Sequence, residues 1–421
     1  MNLSVFIASR LQLTPADGRH SPGVVIAVTG MAVAVAVMLL TLAVVTGFKD
    51  AITQKVVGYD SELTVAPVPA VNEYGFTDPE STLFKYDEVI SGVVRGALGD
   101  DVSVRGMLSA TSILKTDSAF VGLTLMGWTP DADYPFIRDH ITRGELPDYS
   151  NDSTINSVVI SAATARELSL EPGDRLYAYF FTDGNLRARR ITVAGVFDTM
   201  FGERDRLAAV CSLPLLQGVY GADSLTISSL MIDGVGMEGV QEASEKLQGA
   251  ILKEYYRGSL TSGMQVTTVF TNGAVYFGWL DLLDTNVWVI ILLMAVVASF
   301  TLVSSLFILI LERVRTIGIL KAMGAANMQI RRIFLFLAMK IVLRGMAVGN
   351  AVALAVMFLQ GRFHIIPLDP EAYYLNYVPV EFNLLHLLAV NLGTLIIAWL
   401  VMVFPSMIIA TISPSRTMRY E

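Results

Sequence analysis

The sequence predicts a membrane protein with four transmembrane α-helices and a large α+β domain between the first helix and the second. Four long apolar runs support this, because about 20 such residues cross a hydrocarbon layer of about 30 Å. Lipid offers backbone groups no hydrogen-bond partners, so these runs favour helices. Three of them lie in the last third of the chain, and a long mixed segment separates them from the first. The runs are residues 24–45, 287–311, 341–359 and 387–410.

The distribution of basic residues predicts the orientation. Residues 1–21, 312–332 and 411–421 together contain nine Lys/Arg and three Asp/Glu, whereas the short loop 360–383 contains one Arg and three acids. Short loops rich in Lys and Arg stay in the cytoplasm. We therefore expect cytoplasmic termini and a large domain, residues 48–286, outside the cytoplasm. That domain has 18 basic and 32 acidic residues, which argues against nucleic-acid binding.

These observations divide the chain into nine segments. The first apolar run is too long for a cleaved signal peptide, whose apolar part has about 7–15 residues. In the large domain we expect one subdomain from roughly 55–115 and 225–270, with about 118–222 inserted as a second. The segments are a lead (1–21), a first span (22–47), the large domain (48–286), a second span (287–311), a cytoplasmic loop (312–332), a third span (333–360), an outer loop (361–383), a fourth span (384–410) and a tail (411–421).

Residue patterns predict the elements of the domain. Apolar residues at helical spacing carry the first helix on to about residue 57, and a later helix from about Val275 continues into the second span. Asp-Gly within Thr182-Asp-Gly-Asn185 predicts a hairpin turn. The other predicted helices are 162–168 and 240–254. The predicted strands are 61–66, 102–108, 113–115, 119–128, 158–160, 175–181, 189–197, 223–231 and 265–270.

The cytoplasmic loop carries the sharpest local signal. Residues 316–323 can form about two helical turns, Gly324 suits the left-handed position after a helix, and Asn327 can cap the next helix. A helix this short is unstable alone and needs a surface to pack on. An ordinary basic loop beside a membrane would show a similar composition. The apolar residues expected to share one face are Ile317, Leu320 and Met323.

The chain has no sequence motif for catalysis. It lacks the phosphate-binding G-x-x-x-x-G-K-[ST], G-x-S-x-G, H-E-x-x-H and paired Cys ligands. We therefore expect no enzyme activity, metal or cofactor in this chain, and ATP hydrolysis by this route would need another subunit. The single cysteine, Cys211, excludes an internal disulfide. The acidic pairs Asp100/Asp101 and Glu203/Asp205 are expected to be solvated, and Lys340 and Arg344 to reach the cytoplasmic membrane boundary.

Several segments resemble one known family. Arg315-Thr-Ile-Gly-Ile-Leu-Lys-Ala-Met-Gly324 resembles the coupling segment of FtsX-like ABC transporter permeases, as does the arrangement of one span and then three. Other motifs resemble the lipoprotein-releasing branch of that family, LolC and LolE. These are Thr46-Gly-Phe48, Leu125-Met-Gly-Trp-Thr-Pro130, Gly144-Glu-Leu-Pro147, Val158-Val-Ile-Ser161, Pro172-Gly-Asp174, Phe404-Pro-Ser406 and residues 412–421.

The resemblance implies a permease subunit that extracts lipoproteins from the bacterial inner membrane. Its domain would be periplasmic and of the MacB/LolC/LolE type. Its partners would be an ABC ATPase that binds Mg-ATP, a second permease copy or homologous permease, lipoprotein cargo, membrane lipids and a periplasmic lipoprotein chaperone. The implied ATPase-coupling residues are Arg315, Ile317, Gly318, Leu320, Lys321, Met323 and Gly324. For a lipid-facing cavity we expect Met38, Leu42, Phe48, Phe300 and Phe307, for which plain packing is an equal alternative.

Two departures from the branch leave alternatives open. The hairpin that docks the chaperone in that branch is reduced here to about residues 180–190, so chaperone docking either is absent or uses other contacts. Gly127-Trp-Thr replaces the usual Gly-x-Asp. The alternatives are a MacB-type efflux or mechanotransmission permease and an FtsX-like regulator of a cell-wall hydrolase. The hairpin residues in question are Phe181, Asp183, Gly184 and Asn185.

Overall fold

The computed structural model describes residues 22–69, 82–129, 134–182, 184–260 and 262–406. The expected lead (1–21) and tail (411–421) therefore lie outside the described residues. The chain separates into two compact units. The described part of the helical unit comprises residues 22–50, 280–367 and 377–406, and that of the sheet unit falls within residues 51–279 and 368–376.

Regular elements account for most of the described residues. The helices are α1 (Pro22–Asp60), α2 (Glu88–Leu98), α3 (Pro135–Asp139), α4 (Ala162–Leu168), α5 (Glu203–Arg206), α6 (Leu213–Tyr220), α7 (Val240–Tyr256), α8 (Val269–Asn272), α9 (Ala274–Glu312), α10 (Val314–Ala322), α11 (Asn327–Phe363), α12 (Pro370–Tyr373) and α13 (Leu384–Ser406). The strands are β1 (Leu63–Pro67), β2 (Phe84–Lys85), β3 (Ser103–Lys115), β4 (Phe120–Trp128), β5 (Ile141–Gly144), β6 (Ser157–Ser161), β7 (Arg175–Thr182), β8 (Asn185–Phe197), β9 (Ala208–Ser212), β10 (Thr226–Ile227), β11 (Ser229–Asp233) and β12 (Met264–Thr268).

Within the described residues, four helices, α1, α9, α11 and α13, are long and apolar enough to cross a membrane. Their number, and the large α/β domain between the first and the second, confirm the predicted fold class. Helix α1 continues past its apolar run to Asp60, and α9 begins at Ala274, ahead of its own run. Both extensions agree with the helical spacing of the sequence.

Glycines allow the helices of the helical unit to approach one another closely. A Cβ atom on Gly345 of α11 would lie 2.7 Å from the Met31 Cβ atom of α1. One on Gly349, a turn later, would lie 2.6 Å from the carbonyl oxygen of Ala32. Small residues at this spacing let two backbones pack without lipid between them. The Gly345–Gly349 spacing therefore serves a contact within the chain.

An amide pair joins α11 to α13. The Asn350 Nδ2 atom donates to Asn391 Oδ1 over 2.7 Å, and Asn391 Nδ2 donates to Asn350 Oδ1 over 3.0 Å. Each side chain satisfies the other in a setting where unpaired polar groups are costly. Hydrogen bonds of this kind stabilise membrane helix contacts by roughly 0.5–2 kcal/mol.

Hydrogen bonds near both ends fix the segment between α11 and α13. The Gln360 side chain is buried, donates from Nε2 to the Val378 carbonyl over 2.9 Å and accepts from the Ile366 N–H over 3.0 Å. The backbone N–H of Glu381 then donates to the Ala43 carbonyl of α1 over 3.0 Å. A Cβ atom on Gly47 would lie only 3.1 Å from that nitrogen. This crossing explains the glycine in Thr46-Gly-Phe48.

One mixed sheet forms the centre of the sheet unit. Its main path runs β12-β1-β11-β3-β4-β9-β6-β8-β5, and β7 pairs with both β3 and β8. The predicted division between strands 102–108 and 113–115 is wrong, because β3 is one continuous strand, of which residues 103–107 pair with β11 and residues 107–115 pair with β4. Strands from both expected subdomains belong to this sheet. The predicted hairpin is confirmed by β7 and β8.

Asp205 corrects another expectation. Its side chain is 4% exposed rather than solvated. It accepts hydrogen bonds from the Thr199 N–H (2.9 Å), the Thr199 hydroxyl (2.5 Å), the Phe201 N–H (3.3 Å) and the Tyr59 hydroxyl. Because every donor comes from the fold itself, a buried carboxylate is tolerated here. Sequence spacing gave no sign of these partners.

Candidate functional site

A cavity of about 520 Å³ opens within the helical unit, between α1, α9 and α13. Most of its wall is aliphatic or aromatic, and this size lies within the range of about 300–1,000 Å³ typical of ligand sites. We call it the helix pocket. Its apolar lining includes Met31, Met38, Leu42, Trp288, Ile291 and Val390.

One end of the helix pocket is charged. Lys49 and Asp50 of α1, Asp284 of α9 and His386 of α13 line it there. The Lys49 Nζ atom lies 2.6 Å from Asp284 Oδ2, and both side chains are partly exposed. A partly exposed ion pair stabilises the fold by only about 0–1 kcal/mol. The pair can therefore exchange partners with a ligand's polar group at little cost.

The structure brings together only part of the expected cavity. Met38 and Leu42 line the helix pocket. Phe48 is buried but lies outside the lining, and Phe300 and Phe307 are exposed on α9 away from it. Sequence reasoning missed Trp288 and the charged end. The available signal was the cluster of charges at the outer ends of the first two runs, Lys49, Asp50 and Asp284.

The expected short helix in the cytoplasmic loop is present as α10. Gly324 follows it with a left-handed φ of +86°, the conformation predicted for that position. Asn327 is the first residue of α11 rather than its cap. The cap is instead the Gln329 side chain, whose Oε1 accepts from the Ala326 N–H over 3.1 Å.

The faces of α10 differ from the prediction. Ile317 is 0% exposed and packs in the core of the helical unit, with Leu320 partly buried against it. Met323 is 75% exposed and Ile319 is 50% exposed, so both point away from that core. The expectation that Ile317, Leu320 and Met323 share one docking face is therefore wrong. Of the expected coupling residues, Gly318 is buried, Arg315, Met323 and Gly324 are exposed, and Lys321 is half-buried.

The β7–β8 hairpin ends in a two-residue loop. Gly184 has φ +70°, as a tight hairpin turn requires, and Thr182 pairs with Asn185. Asp183 lies outside the described residues. Phe181 and Leu186 are cross-strand partners, and each is more than 60% exposed. They belong to an open sheet face, here called the hairpin face, with further exposed apolar residues Ile113, Phe120 and Tyr177.

Comparison with known proteins identifies the family. Residues 24–247, more than half of the chain, match the MacB-like periplasmic core domain. The chain belongs to this family. Residues 288–414 match the FtsX-like permease C-terminal domain, a range that includes α10, α11 and α13. The two matches confirm the resemblance that the motifs indicated.

The permease is similar to proteins of the lipoprotein-releasing system. It is 21% identical over 414 residues to the lipoprotein-releasing system transmembrane protein LolC of Neisseria meningitidis serogroup B, with 94% of each chain covered. It is 24% identical over 147 residues to LolE of Haemophilus influenzae, covering 33% of the permease and 35% of LolE. The periplasmic region of MacB from Actinobacillus actinomycetemcomitans aligns with a TM-score of 0.32 and 16% identity, covering 52% of the permease and 94% of that structure.

These matches define the general role of the chain. It is a permease subunit of an ABC transporter in the inner membrane, with a periplasmic domain between its first two spans. ATP hydrolysis in such a transporter belongs to a separate partner subunit.

Proposed function

We propose that the permease extracts lipoproteins from the inner membrane for delivery to the outer membrane, driven by a separate ATPase. The helix pocket is the observation that supports this most directly. Its apolar wall suits an acyl chain, and its charged end suits the polar group to which the chain is attached. In this proposal both termini are cytoplasmic, because the basic loops lie on that side.

The energetics explain why such a transporter needs both a pocket and ATP. Moving an acyl chain from lipid into water costs about 0.8 kcal/mol per CH₂ group, or roughly 12 kcal/mol for a chain of about 15. An apolar wall lowers this cost while the lipoprotein leaves the bilayer. ATP-driven movement of the partner ATPase against α10 then supplies the remaining work. A second permease copy or a homologous permease would complete the path.

Filling the helix pocket tests its role. Ala295→Phe is expected to lower lipoprotein release at least tenfold, because Ala295 lines the pocket and a benzyl group would occupy the space of the acyl chain. Release is measured from spheroplasts or proteoliposomes that contain the intact complex. Leu388→Phe is the control, since Leu388 is exposed on α13 and does not line the pocket. Equal lipoprotein release by the two variants would show that the acyl chain does not bind in the helix pocket.

The hairpin face is the proposed docking surface for a periplasmic lipoprotein chaperone. Its exposed side chains are unusually apolar for a periplasmic surface, and Lys115, Arg175 and Arg190 border them. A chaperone whose binding surface is apolar at its centre and acidic at its rim would complement these apolar side chains and the basic residues around them.

A paired substitution tests chaperone docking. Phe181→Asp with Leu186→Asp is expected to weaken chaperone capture at least tenfold while leaving ATPase association intact, because two apolar contacts are lost. Tyr256→Asp is the control, as Tyr256 is 83% exposed at the end of α7. Undiminished capture by the double variant, in a pull-down from periplasmic extract, would remove the hairpin face from the proposal.

Depletion of the permease in its own host tests the function as a whole. Mature lipoproteins should accumulate in the inner membrane when the membranes are fractionated. Unchanged sorting would exclude lipoprotein release. Drug sensitivity would then indicate an efflux permease, and a cell-separation defect would indicate control of a cell-wall hydrolase.

A further inference from the structure

A second cavity of the helical unit, about 570 Å³ in volume, lies at the surface beside the last three turns of α11. Part of its lining is a stripe of α11 in which Leu354, Phe358 and Gly361 recur at helical spacing. Val380 and Phe382, from the segment before α13, also line it. Phe358 is 70% exposed and Phe382 is 56% exposed. We call this cavity the outer groove, and it shares no lining residue with the helix pocket.

Hydrogen bonds fix the non-helical part of the outer groove, which belongs to residues 377–383. The Glu381 N–H donates to the Ala43 carbonyl of α1 over 3.0 Å. The Gln360 Nε2 atom of α11 donates to the Val378 carbonyl over 2.9 Å. Both bonds attach this segment to membrane helices of the same unit. The groove is therefore formed before any ligand enters, as is usual for binding sites.

Two exposed arginines of α11 indicate the level of the outer groove in the bilayer. Arg344 and Arg362 lie 18 residues apart, which is about five turns and about 27 Å along the helix, and no charged residue lies between them. They therefore lie on one face of α11, separated by nearly the thickness of the hydrocarbon core. Charges are costly inside that core, and arginines reach for the head groups. Arg362 thus lies at the head-group level, in the outer leaflet of the orientation proposed above.

The guanidinium group of Arg362 is open to an anionic partner. Its side chain is exposed, and no acidic side chain of the described residues pairs with it. It is the single Lys or Arg within residues 360–383, although loops on the outer side of a membrane carry few basic residues. Guanidinium groups bind phosphate oxygens through two parallel N–H donors. A phosphate beside an apolar groove is the arrangement that a phospholipid offers.

We propose that the outer groove binds an anionic phospholipid, with its phosphate on Arg362 and an acyl chain along Leu354 and Phe358. The lipid is of the phosphatidylglycerol class, whose phosphodiester has no cationic group of its own to compete with Arg362. Phosphatidylcholine has the same acyl chains, but its choline group neutralises its phosphate. The inference goes beyond lipoprotein release and does not depend on it, because the groove is separate from the helix pocket.

Photo-crosslinking of the full-length permease tests the proposal. Nanodiscs of phosphatidylcholine contain a small, equal fraction of one of two probes, phosphatidylglycerol or phosphatidylcholine with a diazirine in one acyl chain. After irradiation and proteolysis, mass spectrometry gives the labelling yield at residues 354–361 and at Leu388 and Leu392, which are exposed on α13 outside the groove. The ratio of the yields from the two probes should be about tenfold in favour of phosphatidylglycerol at the groove, because a phosphate contact of Arg362 is charge-assisted. On α13 the ratio should be about one.

Variants of α11 assign the preference to Arg362. Arg362→Gln should lower the ratio at the groove to about one, whereas Arg332→Gln, at an exposed arginine of α11 outside the groove, should leave it unchanged. Arginine in the last turn also stabilises the end of a helix, but that role does not distinguish the two head groups. The proposal is overturned if both probes label the wild-type groove equally, if α13 shows the same preference, or if Arg362→Gln retains it. The experiment contains no lipoprotein, so its failure leaves the proposed function untouched.

Discussion

The double substitution Ile319→Asp and Met323→Asp is expected to abolish copurification of the ATPase subunit. Ile319 of α10 and Met323, the residue that follows α10, are exposed large apolar side chains, whereas Ile317 of the same helix is fully buried. Central apolar contacts at interfaces each stabilise binding by roughly 2 kcal/mol or more. Losing both should weaken the complex by about 10²–10³-fold. The measurement is affinity purification of the permease from membranes, followed by quantification of the ATPase.

The burial of Ile317 determines which variants are informative. An Asp at Ile317 would lose the ATPase by disrupting the helical unit, so that loss would say nothing about docking. Leu225→Asp, at a residue 52% exposed in the sheet unit, is the matched control and should retain full ATPase association. If the Ile319/Met323 variant is folded and also copurifies normally, the exposed face of α10 is not the contact surface.

Replacing Gly349 with leucine is expected to have the largest effect on stability. The first added carbon would already lie 2.6 Å from the Ala32 carbonyl and 3.0 Å from the Val35 Cβ atom, so α1 must move away from α11. Overpacking typically costs about 1–3 kcal/mol, and a displaced helix backbone places this case at or above the upper end. The thermal midpoint in detergent should fall by several degrees, measured by the loss of monodisperse protein on size-exclusion chromatography.

Gly278→Leu provides the comparison for Gly349. A Cβ atom there has no other atom within 4 Å, and Gly278 lies inside the long helix α9. Leucine should be neutral or slightly stabilising at this site, since glycine is a poor helix former. Similar destabilisation by both substitutions would show that the α1–α11 crossing is not closely packed.

Sequence reasoning succeeded where a pattern has one physical meaning. Runs of about 20 apolar residues are stable in few structures other than a membrane helix. Asp-Gly between two segments in which apolar and polar residues alternate specifies a tight hairpin. It also placed Gly324 correctly, because a left-handed residue after a helix strongly favours glycine. These cases depend on local chemistry alone.

The predictions that were wrong or missing concern residues whose environment is set by contacts with parts of the chain that are distant in sequence. The short helix α10 is apolar on more than one side, so its sequence cannot say which side packs on its own chain. Asp205 is buried because Tyr59, which is distant in sequence, lies beside it. Strand β9 was missed since all five of its residues are buried, and such a strand shows no alternation. The helix pocket likewise depends on how three helices converge.

The reciprocal amides of Asn350 and Asn391 have a consequence for how this protein can change over evolution. Helix α13 is otherwise so apolar that many rotations and shifts along its axis would pack about equally well against α11. The two hydrogen bonds between Asn350 and Asn391 form in only one rotation and one axial position of α13, so they select that packing arrangement. A single residue inserted between Leu384 and Asn391 would rotate the Asn391 side chain by about 100° around the helix axis relative to the start of the helix. Length changes should therefore be tolerated beyond Asn391 more readily than before it, and the two asparagines should be exchanged together or not at all.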